Sequence, residues 1–348
     1  MSAPPLVSVV TPCHDAAPFV AETLECVLAQ THPAVEHVIV DDGSTDGSWD
    51  VIERYALEHP DRVRALRVQP SRGGPHARNR GAALARGDFL LFLDADDVME
   101  PDTVAALLDA AAADPAGLAA CDWRRLRWTG AAWAPAPADV PFPPRGPDAL
   151  RGWLSGREWV PCHALLWPRA VYARTGGWDE SLAINQDGDL ALRALAGGAR
   201  LLPARGGRAY YRTLPHNRPS VSRSAAAERK VRSHLRVLEK VGAVLEADGR
   251  AAAYRDALGM AYQRVALFGF KEGHTELARQ ALRHGMALAG PRPVSASRAG
   301  RLAERVLGME RKEVLTRALA RLGLMTPGRR SMLRFRRAQG GGAGAGAP

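Results

Sequence analysis

Short apolar runs rich in β-branched residues recur along the first hundred residues, and stretches with the apolar spacing of a helix separate them. The predicted strands cover residues 6–11, 35–40, 63–68 and 89–93, and the predicted helices cover 18–30, 46–58 and 73–87. Strands that alternate with helices form a parallel sheet covered by helices on both faces. The pattern therefore predicts an α/β fold with a mostly parallel sheet.

The pattern becomes less regular after residue 100, and the chain divides into four regions. We predict a helix over 101–113, a Pro/Ala-rich loop over 131–147, a strand over 162–167, a helix over 185–196 and short edge strands at 201–202 and 209–211. Residues 1–222 are predicted to form an α/β domain, with a ligand-binding half over 1–100 and a second half over 101–222. A helical region over 223–337 and a disordered tail over 338–348 are predicted to follow.

Charge is distributed unevenly along the chain, whose formal net charge is +10. Residues 223–337 hold 25 Lys/Arg and 10 Asp/Glu, whereas the rest of the chain holds 22 Lys/Arg and 27 Asp/Glu. A basic region of this kind can approach nucleic acid, anionic lipid or a phosphorylated ligand. A solvated, arginine-rich helix surface has the same composition. We expect no nucleic-acid partner and allow for a peripheral membrane contact through this region.

The sequence carries no signal for a membrane span or for disulfide chemistry. No run approaches the ~18 apolar residues of a spanning helix, and the first eight residues lack the pattern of a signal peptide. The four cysteines form no C-x-x-C pair and suit no zinc site; they are Cys13, Cys26, Cys121 and Cys162. These features favour a cytoplasmic protein, at most peripheral at the inner face of the membrane.

Acidic residues follow the most apolar predicted strand. Asp94-Ala95-Asp96 comes directly after Phe89–Leu93, where the carboxyl end of a buried strand would place it at the ligand-binding edge of the sheet. Two carboxylates so close repel each other unless a cation lies between them. Hard divalent ions prefer oxygen ligands and often bridge to substrate phosphates. The alternative is an acidic turn that caps the next helix.

Polar residues also follow the first two strands and lie on the third helix. Thr11-Pro12 follows the first strand, and Asp42 lies in a cluster after the second, where it could accept hydrogen bonds from a base or a ribose. Arg78 and Asn79 lie on the helix that leads to Asp94, and arginines there could bind diphosphate oxygens. Ordinary turn, capping and surface chemistry explains each cluster equally well.

Two further segments hold candidate residues in the second half of the α/β domain. Asp187 begins a predicted helix and could act as a general base toward an acceptor hydroxyl, although helix capping is the plainer explanation. His216, in a polar loop, could complete a metal shell or contact a diphosphate, or could simply be exposed. We expect Arg212 and Arg218, on either side of it, to close over phosphates.

Taken together, these segments resemble the family-2 glycosyltransferases, which have the GT-A fold. The resemblance covers roughly residues 5–222 and rests on the order and spacing of motifs. The matching segments are Val7–Pro12, Val40–Asp46, Ala77–Gly81, Gly87–Asp97, Gly176–Leu182 and Asp187–Leu190. The resemblance implies a Rossmann-like, GT-A-type sheet with a nucleotide-sugar-binding half over 1–100 and an acceptor-binding half over 101–222.

The resemblance also implies a reaction and a role for each candidate residue. Thr11, Pro12 and Asp42 would hold the nucleotide, and Arg78, Asn79 and Asp94 would support the donor. The metal, Mn²⁺ or Mg²⁺, would be bound by Asp96 and Asp94 with His216. Asp187 would deprotonate the acceptor, so that a sugar passes with inversion from a nucleotide diphosphate sugar to a saccharide or lipid-linked acceptor. We expect a UDP-sugar, with GDP- or dTDP-sugars as alternatives.

Two departures from the family pattern qualify this expectation. The motif around the base is commonly Glu-Asp in the family, but the sequence has Gln186-Asp187. The Q-x-x-R-W motif of processive synthases is absent, which favours single addition in glycan or cell-envelope biosynthesis. The competing hypotheses are a nucleotidyltransferase, which the segment after the first strand disfavours, and a non-catalytic protein that binds lipid or nucleic acid through its basic region.

Overall fold

The computed structural model describes residues 3–137, 142, 148–156, 158–213 and 227–321. Its first hundred residues form the predicted alternation of strands and helices. The strands are β1 (Val7–Cys13), β2 (Val35–Asp42), β3 (Val63–Val68) and β4 (Phe89–Phe92), and the helices are α1 (Val20–Leu28), α2 (Ser48–Glu58) and α3 (Gly74–Leu84). All four strands run parallel, in the order β3-β2-β1-β4. Their carboxyl ends therefore lie at one edge of the sheet.

The second half extends the same sheet with mixed strand directions. Its elements are β5 (Val98–Met99), α4 (Thr103–Ala111), β6 (Leu118–Trp128), β7 (Trp133–Pro135), α5 (Ala149–Leu154), β8 (Leu165–Pro168), α6 (Arg169–Thr175), α7 (Gln186–Ala196) and β9 (Leu201–Thr213). The sheet continues from β4 in the order β8-β6-β9-β5, and β7 pairs with β6. β8 runs antiparallel to both β4 and β6, whereas β6 and β9 are parallel.

The predictions for β6 and β9 differ from the structure. No strand is predicted over 118–128, where the structure has β6. Short edge strands are predicted at 201–202 and 209–211, but residues 201–213 form the single long strand β9 inside the sheet. Pairing with β6 shifts register between Ala120 and Asp122, so residues 204–207 bulge from β9. Gly206 and Gly207 have positive φ within this bulge. The glycine pair resembles a turn in the sequence, but in the structure it forms a bulge within one strand.

Gly81 explains part of the Ala77–Gly81 motif, because α3 packs against β1 at this position. A Cβ at Gly81 would lie far inside van der Waals contact with Cγ1 of the buried Val10.

We therefore expect Gly81→Ala to lower the free energy of unfolding by about 1–3 kcal/mol, because the helix must move off the sheet. Urea denaturation measures this change. Gly242→Ala is the control, since its Cβ would make only ordinary contact with Leu258; alanine there should be neutral or stabilising. Equal behaviour of the two variants would contradict the proposed close packing.

The C-terminal region is helical, as predicted, over its described part. It contains α8 (Ala227–Ala247), α9 (Ala251–Glu272), α10 (Thr275–Ala289), α11 (Arg298–Leu307) and α12 (Met309–Arg321). Buried residues of α8 and α9 belong to the same hydrophobic cluster as the sheet and α7. None of the described helices is both long and apolar enough to cross a bilayer. The predicted tail, 338–348, lies outside the described residues.

Candidate active site

Asp94, Asp96 and Asp97 lie in a tight turn directly after β4. The Asp97 amide donates to the Asp94 carbonyl at 3.0 Å, while Leu93 and Ala95 are buried. Asp94 and Asp96 are partly exposed, but Asp97 is fully buried. Burial, followed by the charges of Asp97 and Asp94, raises the pKa of Asp96 well above its usual value. Asp96 therefore has too little positive charge around it to offset its own burial and the two neighbouring carboxylates.

Asp97 stabilises the turn from below rather than facing a ligand. One of its carboxylate oxygens lies 3.1 Å from Nδ1 of the buried His163, and the other accepts a 2.7 Å hydrogen bond from the Arg212 amide. The His163 ring stacks on Tyr211 with 5.6 Å between ring centroids. Burial alone would lower the pKa of His163, but the Asp97 carboxylate outweighs burial and raises it. This pair was not predicted from the sequence.

Arg212 has a different role from the predicted one. Its side chain is buried, with Nη1 donating to the Asp96 carbonyl and Nη2 to the Glu22 carboxylate, both at 2.7 Å. The guanidinium also lies 5.0 Å from the ring centres of Phe19 and Trp133. The expectation that Arg212 closes over phosphates is therefore wrong, because the group is already committed to holding the Asp94–Asp97 turn in place.

Arg78 joins α3 to this turn. Its Nη2 donates to an Asp94 carboxylate oxygen at 2.5 Å, and its guanidinium lies 4.6 Å from the centre of the Trp178 ring. Trp178 packs edge-on against the buried Phe92 of β4. Burial opposes the charged form of Arg78, but Asp94 outweighs it and raises the pKa of Arg78 above its usual value. The arginine therefore stays charged and fixes the orientation of Asp94.

Asp187 lies in the first turn of α7, within electrostatic range of Arg78, Asp94 and His163. Burial raises the pKa of Asp187, and Arg78 partly offsets that effect. The buried Cys162 thiol lies within electrostatic range of Asp187, and burial raises the pKa of the thiol well above its ordinary value. The thiol thus remains protonated. Residues from α3, α7 and the turn after β4 meet in one region.

Thr11 and Asp42 have their side chains engaged within the protein. The Thr11 hydroxyl lies 2.8 Å from Nε2 of His37, and both residues are buried. Burial lowers the pKa of His37 to about 3, so its ring is neutral. The Asp42 carboxylate accepts from the Ser71 hydroxyl and from two backbone amides of the following loop, at 2.7–2.9 Å. Both residues shape the loops at this sheet edge, next to the partly exposed Pro12.

Asn79 anchors the segment between α6 and α7. Its amide nitrogen donates to the Trp178 carbonyl and to Glu180 at 3.0 Å, and its amide oxygen accepts from the Trp178 amide at 2.9 Å. Glu180 also lies 3.0 Å from Nδ1 of His76. Asn79 therefore supports the position of Trp178 and does not project freely from α3.

The basic helix α8 holds the other side of this segment. Lys240 lies 2.8 Å from Asp179 and 2.5 Å from the fully buried Asp189, while Arg236 donates to Asp179 at 2.9 Å. Asp189 also pairs with Arg193 within α7. Because Asp189 is two residues from Asp187, these ion pairs fix the end of α7 that carries the candidate base.

We expect Lys240→Met to lower the free energy of unfolding by about 1–3 kcal/mol and to slow sugar transfer roughly tenfold or more, because α7 would lose its anchor. Donor affinity should stay unchanged, and Lys240→Arg should restore transfer. Steady-state kinetics and titration with donor separate these effects. Arg232→Met is the matched control, since the only ion-pair partner of Arg232 among the described residues is the exposed Glu228 of the same helix. An unaltered transfer rate in Lys240→Met would contradict the anchoring role.

The predicted metal ligands Asp94 and Asp96 do not complete a metal site by themselves. Among the described residues, no three His, Cys, Asp or Glu side chains form a cluster that could hold a metal ion by themselves. Magnesium-type sites commonly use one or two carboxylates together with substrate phosphates. Asp94 and Asp96 are both partly exposed, and Asp96 has too little positive charge around it, so the pair fits that arrangement. His216 lies outside the described residues.

Comparisons with known proteins agree with this architecture. Residues 8–162 match the family described as glycosyl transferase family 2. The chain is 37% identical over 172 residues to the uncharacterized glycosyltransferase YibD of Escherichia coli, covering 48% of each protein. It is 36% identical over 196 residues to the O-antigen biosynthesis protein RfbC of Myxococcus xanthus, covering 56% of the chain and 15% of that protein. The matches thus span less than half of these relatives.

Solved structures share the fold at low sequence identity. S. aureus TarS 1–349 in complex with UDP-GlcNAc aligns with a TM-score of 0.58 and 16% identity, over 82% of this chain and 90% of that one. The mannosyltransferase PcManGT from Pyrobaculum calidifontis, in complex with GDP-Man and Mn²⁺, gives 0.53 and 20% over 92% and 88%. The predicted GT-A-type fold is confirmed. The expected resemblance to family-2 glycosyltransferases is confirmed over residues 8–162.

Proposed function

We propose that the protein is a metal-dependent, inverting glycosyltransferase that moves one sugar from a nucleotide diphosphate sugar to an acceptor hydroxyl. The observation that carries the proposal is the meeting of Asp94, Asp96, Arg78 and Asp187 beyond the carboxyl end of β4. A carboxylate pair for a cation, a buried arginine and a separate carboxylate are the groups that this reaction requires.

Asp96 is the proposed main metal ligand, with Asp94 contributing the carboxylate that Arg78 orients. Mn²⁺ or Mg²⁺, when bound there, would supply the positive charge that stabilises a departing diphosphate. Arg78 holds the Asp94 carboxylate in a fixed orientation, so the cation would meet a preformed ligand there. Asp97 and Arg212 keep the turn in that shape from the buried side.

Asp187 is the proposed general base. The acceptor hydroxyl would give its proton to the Asp187 carboxylate while its oxygen bonds to the anomeric carbon, and the bond from that carbon to the diphosphate oxygen would break. The nucleoside diphosphate leaves with that electron pair, and the anomeric configuration inverts because the acceptor attacks from the face opposite the diphosphate. The nearby Arg78 partly offsets the effect of burial on the pKa of Asp187 and so favours the carboxylate form that a base requires.

The proposed donor is a UDP-sugar, with GDP- and dTDP-sugars as alternatives. TarS structures contain UDP or UDP-GlcNAc, and the PcManGT structure contains GDP-Man. The proposed acceptor is a saccharide or a lipid-linked saccharide, within glycan or cell-envelope biosynthesis. The name of the RfbC relative points to that setting.

A donor screen tests this proposal. The full chain is mixed with UDP-, GDP- and dTDP-sugars, each with Mn²⁺, with Mg²⁺ and with EDTA, and melting temperature and donor hydrolysis are measured. One nucleotide class should raise the melting temperature only when metal is present, and the same class should be slowly hydrolysed. A parallel sample with nucleoside triphosphate and sugar 1-phosphate covers the nucleotidyltransferase hypothesis. Release of inorganic diphosphate in that sample, without hydrolysis of any nucleotide sugar in the other samples, would overturn the proposal.

A further inference from the structure

The helices α11 and α12 expose large apolar side chains to an unusual degree. Five of the nine exposed large hydrophobic residues in the described part of the chain lie between 302 and 315. They are Leu302, Val306, Leu307, Val314 and Leu315. Leu302 is 62% exposed and Val306 is 73% exposed, although both belong to a helix whose other face packs on the protein. An apolar surface of this kind indicates an interaction site.

Arginines share this exposed face. Leu302 lies four residues after Arg298, and Arg305 and Val306 lie three and four residues after Leu302, so all four lie along one side of α11. Arg298 and Arg305 are exposed and form no ion pair with any residue in the described ranges. The face therefore combines unneutralised positive charge with apolar side chains.

The acidic residues of the two helices point away from this face. Glu304 is buried and accepts from the Val294 and Ser295 amides and from Lys312. Glu313 is buried against Lys312, and Glu310 pairs with Arg279 of α10. Residues 298–321 contain seven Lys/Arg and three Glu in total. Since all three glutamates are paired internally, the outer face is left with basic and apolar groups.

We propose that this face, defined by Arg298, Leu302, Arg305 and Val306, docks on the surface of a bilayer that contains anionic lipids. Basic side chains bind anionic headgroups, and the interleaved leucine and valine can enter the headgroup boundary. Nucleic acid would match the arginines but not the apolar residues. A second copy of the same face would match the apolar residues but would oppose arginine to arginine. An anionic bilayer satisfies both.

The neighbouring sequence has the same character. Residues 322–337 add five arginines and no acidic residue. The proposal concerns membrane contact alone and does not depend on the proposed sugar transfer, so either can fail without the other.

Vesicle sedimentation with the full chain tests the proposal. Wild type should bind vesicles of phosphatidylcholine with phosphatidylglycerol and should not bind vesicles of phosphatidylcholine alone. Leu302→Gln/Val306→Gln keeps every charge and should weaken binding about tenfold or more. Arg298→Gln/Arg305→Gln should weaken it about 25-fold, at about fivefold for each arginine. Because all four side chains are exposed, the melting temperatures of both variants should match wild type.

Two controls keep the result specific. Leu57→Gln removes a 77% exposed leucine of α2, and Arg174→Gln removes an exposed arginine of α6; both should bind as wild type does. Equal binding to the two kinds of vesicle would overturn the proposal. Wild-type binding by Leu302→Gln/Val306→Gln would also overturn it, because the basic sequence of 322–337 would then be sufficient. The proposal would also be overturned if wild type were a dimer and Leu302→Gln/Val306→Gln dissociated that dimer without weakening vesicle binding.

Discussion

Asp187→Asn is expected to slow sugar transfer by about a hundredfold to ten-thousandfold while leaving donor affinity within about threefold. Asparagine keeps the size of the side chain, but it cannot take a proton from the acceptor. Single-turnover transfer measures the chemical step, and titration with the donor measures binding.

Asp50→Asn is the matched control for this variant, because Asp50 lies exposed on α2, far along the chain from the candidate site. It should transfer sugar at the wild-type rate. If Asp187→Asn lost donor binding as completely as transfer, Asp187 would have to hold the donor instead of activating the acceptor. Transfer at the wild-type rate would remove Asp187 from the mechanism altogether.

Asp96→Asn is expected to abolish the metal-dependent part of donor binding and to reduce transfer by at least about a hundredfold. The change removes the carboxylate that we propose as the main ligand and leaves Asp94 paired with Arg78. Thermal shift with Mn²⁺ and the nucleoside diphosphate, compared with EDTA, measures the loss. Asp109→Asn, at an exposed position of α4, is the control. Full metal-dependent stabilisation in Asp96→Asn would refute the metal assignment.

The same variant should be more stable than wild type when metal is absent. Burial and two neighbouring carboxylates raise the pKa of Asp96 in the folded protein. A carboxyl whose folded pKa is raised favours the folded state below its unfolded pKa, and that contribution is lost as the pH rises to neutrality. Asparagine carries no charge at any of these pH values. The difference in melting temperature in EDTA should therefore grow from acidic to neutral pH.

The parallel half of the fold follows from short-range patterns, whereas the other half does not. The strands β1, β2 and β4 can be predicted because each is buried along nearly its whole length. β6 was not predicted because the adjacent Arg124 and Arg125 break the apolar–polar alternation of its outer half. β9 was not predicted as one strand because the four-residue bulge at 204–207 resembles a turn in the sequence, and only its pairing with β6 shows that the strand continues. Both strands are defined by contacts with distant parts of the chain.

The candidate site divides in a similar way. Asp94, Arg78 and Asp187 were predicted from motifs, and the structure brings them together, although their roles stay predictions. His163 and the internal role of Arg212 carry no sequence signal, because each is defined by the group buried beside it. A lone histidine or arginine in a sequence gives no indication of which carboxylate or carbonyl it will face.

Trp178, Asp179 and Glu180 are consecutive, yet they contact two different parts of the protein: Trp178 and Glu180 contact Arg78 and Asn79 of α3, whereas Asp179 contacts the basic helix α8. If the C-terminal helices were exchanged between relatives, the ion pairs of α8 with Asp179 and Asp189 would therefore limit which helices are compatible, although both aspartates lie well before α8 in the sequence. A chimera would need a cation in register with Lys240, or neutral residues in place of Asp179 and Asp189. Acceptor preference and the C-terminal helices would on this view be inherited together, with the position of Asp187 as the link between them.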